Sequence, residues 1–510
     1  MSNNLSRRGF LGSLAAVGAA GVVSVPALAQ TVKAPAKWDK TVDFLIVGTG
    51  FAGLGAAIEA HEQGIKNILV IDKMPSYGGN SIINGGILTA TGCPQQLKHG
   101  IKDSPELLAS DMLAAGLYMN QPEKVKLVAK SALSNYEWTV KELGVEYNLE
   151  AIGQEGGHSV PRYVFTKNGS GSGIVTKELE KLKKMGVPVR LRCYVERIFR
   201  DDSGRVVGVQ IREGYRFPKA DSGKVKTIGV KKGLVLCYGG FSRDVDYRMM
   251  QDPKLVAKLD STNQPGATAG VLIKALGIGA APVQLCWLQF LPYCNPNEKG
   301  FGVSVNFTNH ACMDLGLVVD RKTGKRFMDE HAGRKIKADA MFKVIGNDKN
   351  YPIAVCDDAI VKAINPSFVR LPLEMGTVKK FDTLEALAKH FGIKQDAFLA
   401  EVKKFNNFVK EGTDKDFHRI LKFNKGLDVS KPPFYGIEVC PKIHHTMGGV
   451  MINNNAQVIS ATTHAPIKGL YAGGEVTGGV HGASRLGTVA VIDALTFGMI
   501  AGEQFAKMKA

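Results

Sequence analysis

Residues 41–72 hold a pattern that few folds accommodate. Thr41-Val42-Asp43-Phe44-Leu45-Ile46-Val47 is a β-branched, apolar run suited to a strand buried on both faces. Gly48-x-Gly50-x-x-Gly53 follows at once and leads into an Ala-rich helix predicted over about 54–62. A second apolar strand, Asn67-Ile68-Leu69-Val70-Ile71, ends at Asp72. In such a unit Gly48 permits a tight turn, Gly50 lets the backbone approach a pyrophosphate, and Gly53 lets helix and strand pack closely. The helix N-terminus offers free N–H groups and a positive dipole end to phosphates. Asp72 stands where a carboxylate accepts a ribose hydroxyl. A glycine triplet alone is a weak signal. With both strands, the helix and the acid in order, it predicts a doubly wound, Rossmann-like α/β domain that binds a dinucleotide.

Three further glycine turns bear on which dinucleotide. Lys73-Met74-Pro75-Ser76-Tyr77-Gly78-Gly79-Asn80-Ser81 resembles the second glycine turn of FAD-binding flavoproteins. Gly233-Leu234-Val235-Leu236-Cys237-Tyr238-Gly239-Gly240-Phe241 is another strand running into glycines. Gly469-Leu470-Tyr471-Ala472-Gly473-Gly474-Glu475 resembles the segment whose acid binds the flavin ribityl chain. Such spacing favours FAD over NAD. The expected cofactor contacts are Gly48, Gly50, Gly53, Asp72, Gly79, Asn80, Ser81, Gly86, Gly239, His445, Glu475 and Leu486.

The length of 510 residues suits two or three domains and a sizeable core. The formal charge of +18 has no Lys/Arg-dense tract interleaved with aromatics behind it, so nucleic acid is not the expected partner. Scattered basic residues read as a solvated surface that also steers anions towards a cleft. None of the eight cysteines forms C-x-x-C, so neither zinc-ribbon spacing nor a haem attachment motif is present. Most are expected to be buried as small hydrophobes. At the start, Ser6-Arg7-Arg8-Gly9-Phe10-Leu11, an apolar run to Val25 and Ala27-Leu28-Ala29 have the layout of a twin-arginine export signal. Residues 1–29 are therefore expected to be removed, 30–38 to form a linker, and the mature protein to be periplasmic without a membrane span.

Two segments carry a family resemblance: His444-His445-Thr446-Met447-Gly448-Gly449-Val450, and Gly474-Glu475-Val476-Thr477-Gly478-Gly479-Val480-His481-Gly482-Ala483-Ser484-Arg485-Leu486-Gly487. They resemble the flavoprotein subunit of the fumarate reductase/succinate dehydrogenase family. The likeness is to its soluble exported branch, the flavocytochrome c fumarate reductases and relatives acting on urocanate or methacrylate. A third segment, Gly324-Lys325-Arg326-Phe327-Met328-Asp329-Glu330-His331-Ala332-Gly333-Arg334, completes it. The resemblance implies that Arg334 donates a proton, Arg485 binds the substrate carboxylate, and His444 binds a substrate oxygen. It also implies a discontinuous FAD-binding domain, 39–284 plus 445–510, with an α+β capping domain inserted over 285–444. Helical patterns at Leu384–Phe391 and Phe398–Val409 suit that unit. The reaction implied is reduction of the C=C bond of a small unsaturated carboxylic acid, in anaerobic respiration.

The sequence departs from the fumarate enzymes where they grip a second carboxylate, with a His before Pro and a Thr-Glu pair. Here the corresponding stretches are Gln289-Phe290-Leu291-Pro292-Tyr293 and Phe307-Thr308-Asn309. Leu291 replaces the His, Asn309 replaces the Glu, Thr308 is kept, and Cys312 stands at a relay Arg. An unpaired carboxylate buried beside Leu and Phe is costly. Acrylate-, methacrylate- or cinnamate-like acids are therefore expected, with urocanate and fumarate as alternatives. Thr308, Asn309, Leu291, Tyr293 and Gly448 are the expected substrate contacts. Ser81–Gly86 lacks the His of covalently flavinylated relatives, so FAD is expected to be non-covalent. Electrons are expected from a separate donor, a small c-type cytochrome. The competing classes are a flavin dehydrogenase of the 3-ketosteroid type and a non-enzymatic electron carrier.

Overall fold

The computed structural model describes residues 33–506, so the export-signal reading falls outside the described residues. The strand Lys40–Val47 is buried along its C-terminal half and sits near the middle of an eight-stranded sheet. It pairs in parallel with Ile68–Ile71 on one side and with Lys224–Leu236 on the other. Val189–Arg190 extends the sheet beyond Ile68–Ile71, and Pro466–Ala472 extends it beyond Lys224–Leu236, both in parallel. Gln457–Ile459 adds an antiparallel edge, and the hairpin Cys193–Arg200/Val206–Glu213 pairs with the first half of Lys224–Leu236. Parallel strands covered on both faces read as continuous apolar runs. That explains why ILVI at Ile68–Ile71 is entirely buried.

Three glycine-bearing strand ends meet at one edge. Val47 pairs with Leu236 and Ile71, and Leu236 pairs with Ala472, so the turns after each face a common space. Gly48 has φ +120°, and a Cβ there would lie 2.1 Å from the Cys237 carbonyl oxygen. A Cβ on Gly53 would lie 2.0 Å from the Gly48 oxygen. The helix begins at Phe51, three residues before the predicted start, because Gly50 is already its N-cap and Ser81 Oγ accepts the Phe51 N–H at 3.1 Å. The C-terminal helix Ala490–Ala506 packs on this first helix, with its N-terminal end at the same edge.

Two apolar cores are present. The buried residues of one come from 42–280 and 450–501, and those of the other from 291–440. The second surrounds an antiparallel sheet in the order Leu317–Val319, Ile353–Asp357, Phe434–Glu438, Lys379–Phe381. Helices Leu384–Phe391 and Gln395–Glu411 pack with it, at the positions their apolar spacing predicts. The chain passes between the cores twice, as Leu288–Cys294 and Cys440–Thr446. These two segments pair with each other as an antiparallel ribbon. Helix Arg334–Ile345 lies on that ribbon, with Phe342 edge-on to Phe290 at 5.0 Å.

All eight cysteines are free thiols, and only Cys286 is exposed. Among the described residues no helix is long and apolar enough to cross a membrane, and no cluster of His, Cys, Asp or Glu is placed to hold a metal. Replacing Gly48 by Ala puts a side chain where φ is +120° and the Cys237 carbonyl already stands. The expected cost is roughly 2–3 kcal/mol, seen as a fall in Tm of several degrees. An unchanged Tm would show that the turn relaxes freely.

Candidate active site

A single cavity runs from the glycine turns to the junction of the two cores. Its near end is lined by Gly48, Gly50, Asp72, Gly79, Asn80, Ser81, Gly239 and Glu475. Its far end is lined by Leu291, Tyr293, Asn309, Arg334, His444 and Arg485, with His445 between. Five residues nominated from sequence stand behind the wall. Gly53 is inside the first helix, under the turn. Gly86 is pressed against Thr166 and Ser170, and Gly448 against the Gln284 backbone. Leu486 offers its carbonyl to Arg485 at 3.0 Å and lies beside Gly157. Thr308 is fully buried where the chain winds as a π-helix over Thr308–Met313, so it is Asn309 and His310 that reach the cavity. These five shape the site from behind.

The near end fits FAD. Asp72 holds the first turn closed: its Oδ2 accepts the Thr49 N–H at 3.0 Å and the Thr49 hydroxyl at 2.7 Å, and its Oδ1 accepts the Met74 N–H at 2.9 Å. Its remaining lone pairs are available to a ribose. The second turn is tied to the first, as Gly78 N–H donates to Thr49 Oγ1 at 3.0 Å. Gly239 has φ +83° with open space above it. Deeper in, Glu475 Oε1 accepts the Thr446 N–H at 3.0 Å, and His445 Nδ1 lies 3.6 Å away. His445 Nε2 is buried without a partner, a polar atom that a bound group would satisfy. Burial, Arg485 and His481 hold His445 well below the usual imidazole range, and it is neutral. Lys73, which the motifs did not single out, also lines this end; burial brings its ammonium down to about 8, and it donates to Thr268 Oγ1 at 2.6 Å.

The far end is dominated by charge. Arg334 opens helix Arg334–Ile345 and meets Glu155 in a two-point contact, Nε to Oε1 at 2.5 Å and Nη2 to Oε2 at 2.9 Å. Both side chains are buried, at 10% and 6% exposure. Burial pushes the Glu155 carboxyl up, but Arg334, Lys337 and Arg485 outweigh it and hold it at about 2. Burial pulls Arg334 down, but Glu155 outweighs it and leaves the guanidinium above its ordinary range. Arg485 has no carboxylate of its own. Its Nη1 donates to the Leu486 carbonyl, and burial beside Arg334 brings it down to about 9. Arg334 Nη1 and Arg485 Nε are buried without partners. His444 Nδ1 is 2.7 Å from Thr262 Oγ1, and burial, Arg334 and Arg485 keep its imidazole neutral. Two guanidinium groups thus lie beside one carboxylate, in a pocket also lined by Leu291, Phe301, Val305, Asn309 and His310. Buried charge is tolerated when it is paired, so the surplus marks the place of an anionic ligand.

Sequence reasoning missed Glu155 altogether, and it missed the use of Tyr293. Glu155 lies in a loop, flanked by Gly153, Gly156 and Gly157, that carries none of the recognised motifs. Tyr293 lines the cavity, and its hydroxyl also donates to Glu155 Oε1 at 3.2 Å and accepts from Lys337 Nζ at 2.8 Å.

The FAD binding domain family model matches residues 43–491. The chain belongs to this family. Within it, the chain is similar to the acrylate reductase flavoprotein subunit of Shewanella woodyi, at 39% identity over 98% of this chain and 99% of that protein. It is also similar to the fumarate reductase (cytochrome) of Shewanella frigidimarina, at 34% identity over 92% of this chain and 77% of that protein. The open conformation of a flavocytochrome c3 fumarate reductase superposes with a TM-score of 0.72 at 29% identity, covering 99% of this chain and 81% of that one. The FAD-domain sheet and its glycine turns thus have the architecture that the family label describes.

Replacing Glu155 by Leu leaves Arg334 buried without its counter-ion. The expected loss is about 3–5 kcal/mol, read by chemical denaturation. A loss below about 1 kcal/mol would show that the pair does not carry the junction.

Proposed function

We propose that this chain is an FAD-dependent reductase of the C=C bond of a small α,β-unsaturated monocarboxylate such as acrylate. The observation that carries the reading is the pair of partnerless guanidinium nitrogens, on Arg334 and Arg485, in one apolar-walled cavity. The similarity to an acrylate reductase flavoprotein subunit supports it. Arg485 presents a planar fork that matches one carboxylate. Its charge stabilises the enolate that develops when the β-carbon is reduced. Bound FAD supplies the hydride, with Gly48, Asp72, Asn80, Gly239, His445 and Glu475 as its holders. His444, neutral and oriented by Thr262, contacts a substrate oxygen. Arg334 delivers the proton to the α-carbon. A guanidinium is a weak acid, and it can serve only because an α-carbanion is very basic.

Leu291 and Asn309 line the far end of the cavity, and neither carries a charge to pair with a second carboxylate. That supports monocarboxylic acids over fumarate. The unit over 285–444 is proposed to cap the flavin and exclude water. FAD is proposed to be held without a covalent bond, since Ser81–Gly86 offers no histidine. The Arg7-Arg8 segment supports a periplasmic location, and the electron donor is proposed to be a small c-type cytochrome.

The test is anaerobic reoxidation of reduced methyl viologen by acrylate, catalysed by the FAD-loaded chain. Arg334→Ala is expected to lower kcat by about 10³-fold with FAD content unchanged. A dehydrogenase would turn over a 3-ketosteroid instead, and an electron carrier would turn over neither. Full activity in Arg334→Ala would remove this residue from the reaction.

A further inference from the structure

If Arg334 gives up a proton, it must be recharged. It is buried, and its carboxylate neighbour is held ionised, so Glu155 alone has no proton to offer. Beyond Glu155 the structure holds a hydrogen-bonded chain of titratable groups. Lys337 Nζ donates to Tyr293 Oη at 2.8 Å, Tyr293 Oη donates to Glu155 Oε1 at 3.2 Å, and Glu155 accepts both Arg334 N–H groups. Tyr293 and Lys337 are each 2% exposed. Lys337 lies one turn after Arg334 on the same helix, so the two side chains share a face. The Tyr293 ring fills the space between them, 4.6 Å from Lys337 Nζ and 5.9 Å from the Arg334 guanidinium.

We propose that Lys337, Tyr293 and Glu155 are a proton relay that recharges Arg334 after each turnover. The proposal rests on the reductase reading above. The donor hydrogens of Lys337 and Tyr293 point towards Glu155, so a vacancy on Arg334 can draw protons in one direction. The Arg334 N–H bond breaks as the α-C–H bond forms. The Tyr293 proton passes to Glu155 Oε1, the neutral guanidine turns its bare nitrogen to that carboxyl and takes the proton, and a Lys337 proton replaces it on the Tyr293 oxygen. The net change is one proton lost by Lys337 and one regained by Arg334. No electrons move. Asp314, which attracts the Lys337 ammonium and is 27% exposed, is proposed as the side from which Lys337 is recharged.

The charged groups around Lys337 suit that task. Burial brings its ammonium down to about 8, against the attraction of Glu155, Asp314 and Asp329 and with the repulsion of Arg334. His331 and Arg419 complete its charged surroundings; burial holds the His331 ring at about 4, so it adds no charge at neutral pH. Lys337 Nζ has one further acceptor, the Glu330 carbonyl at 3.1 Å. A lysine kept only to brace Tyr293 would show the same contacts but would not set a pH dependence.

The experiment measures kcat and KM for acrylate between pH 6 and 10, in H₂O and D₂O, with the FAD-loaded full chain. Wild type, Tyr293→Phe, Lys337→Met and Lys337→Arg are compared. In wild type, kcat is expected to fall as pH rises through about 8, as Lys337 loses its proton. Tyr293→Phe and Lys337→Met are expected to lower kcat about 100-fold with KM little changed. Lys337→Arg is expected to restore activity and move the alkaline fall to higher pH. The wild-type rate is expected to fall along a curve as the D₂O fraction rises, because more than one proton moves. This last measurement needs no variant to fold. Active variants with the wild-type pH profile, or a linear dependence on D₂O, would overturn the relay and leave the reductase standing. A wild type that reduces no enoate would overturn the reductase reading and the relay with it.

Discussion

Glu155 and Arg334 meet where the two apolar cores adjoin, and most of the far end of the cavity is arranged around their contact. Glu155 is on the side of the glycine turns, and Arg334 opens a helix of the second core. Their pairing is what permits a buried guanidinium to sit near Arg485. It also leaves one positive charge unbalanced. The wall beside it carries Leu291, Phe301 and Val305 together with Asn309 and His310. The same carboxylate is the acceptor for Tyr293, and through it for Lys337. A single side chain therefore links the junction, the buried guanidinium pair and the proposed supply of protons.

The other end of the cavity follows a different logic, in which backbone matters more than charge. Strand ends at Val47, Ile71, Leu236 and Ala472 stop in register, so their turns surround one space. Asp72, Thr49 and Gly78 bind the first two turns to each other, and Ser81 takes up the first free N–H of the helix. The antiparallel ribbon Leu288–Cys294/Cys440–Thr446 joins this end to the other. It carries Leu291, Tyr293, His444 and His445, so one short piece of sheet lines both ends of the cavity.

The sequence was most informative where interactions are local. The strand, glycine turn and acid of 41–72 could be read because each residue acts on near neighbours. The helix start was misplaced by three residues because the cap at Gly50 depends on Ser81, 30 residues on. Arg334, His444 and Arg485 were legible through motifs, and the fold brings all three to one cavity. Thr308 was not correctly placed, because the π-helical winding turns it into the core and presents Asn309 instead. Glu155, Tyr293 and Lys337 come from a loop, a strand and a helix far apart along the chain. Nothing in their own neighbourhoods signals the contact, and only tertiary packing assembles it.

The site is proposed to grip one carboxylate and to offer no lysine or arginine of its far wall to a second. The most direct measurement is the ratio of kcat/KM for acrylate to that for fumarate, taken on the same FAD-loaded preparation. A ratio well above one is expected, on the order of 100 or more, since an unpaired carboxylate against Leu291 and Asn309 costs several kcal/mol. A ratio at or below one would show that the far wall accepts a second anion, and the charge argument would then be wrong.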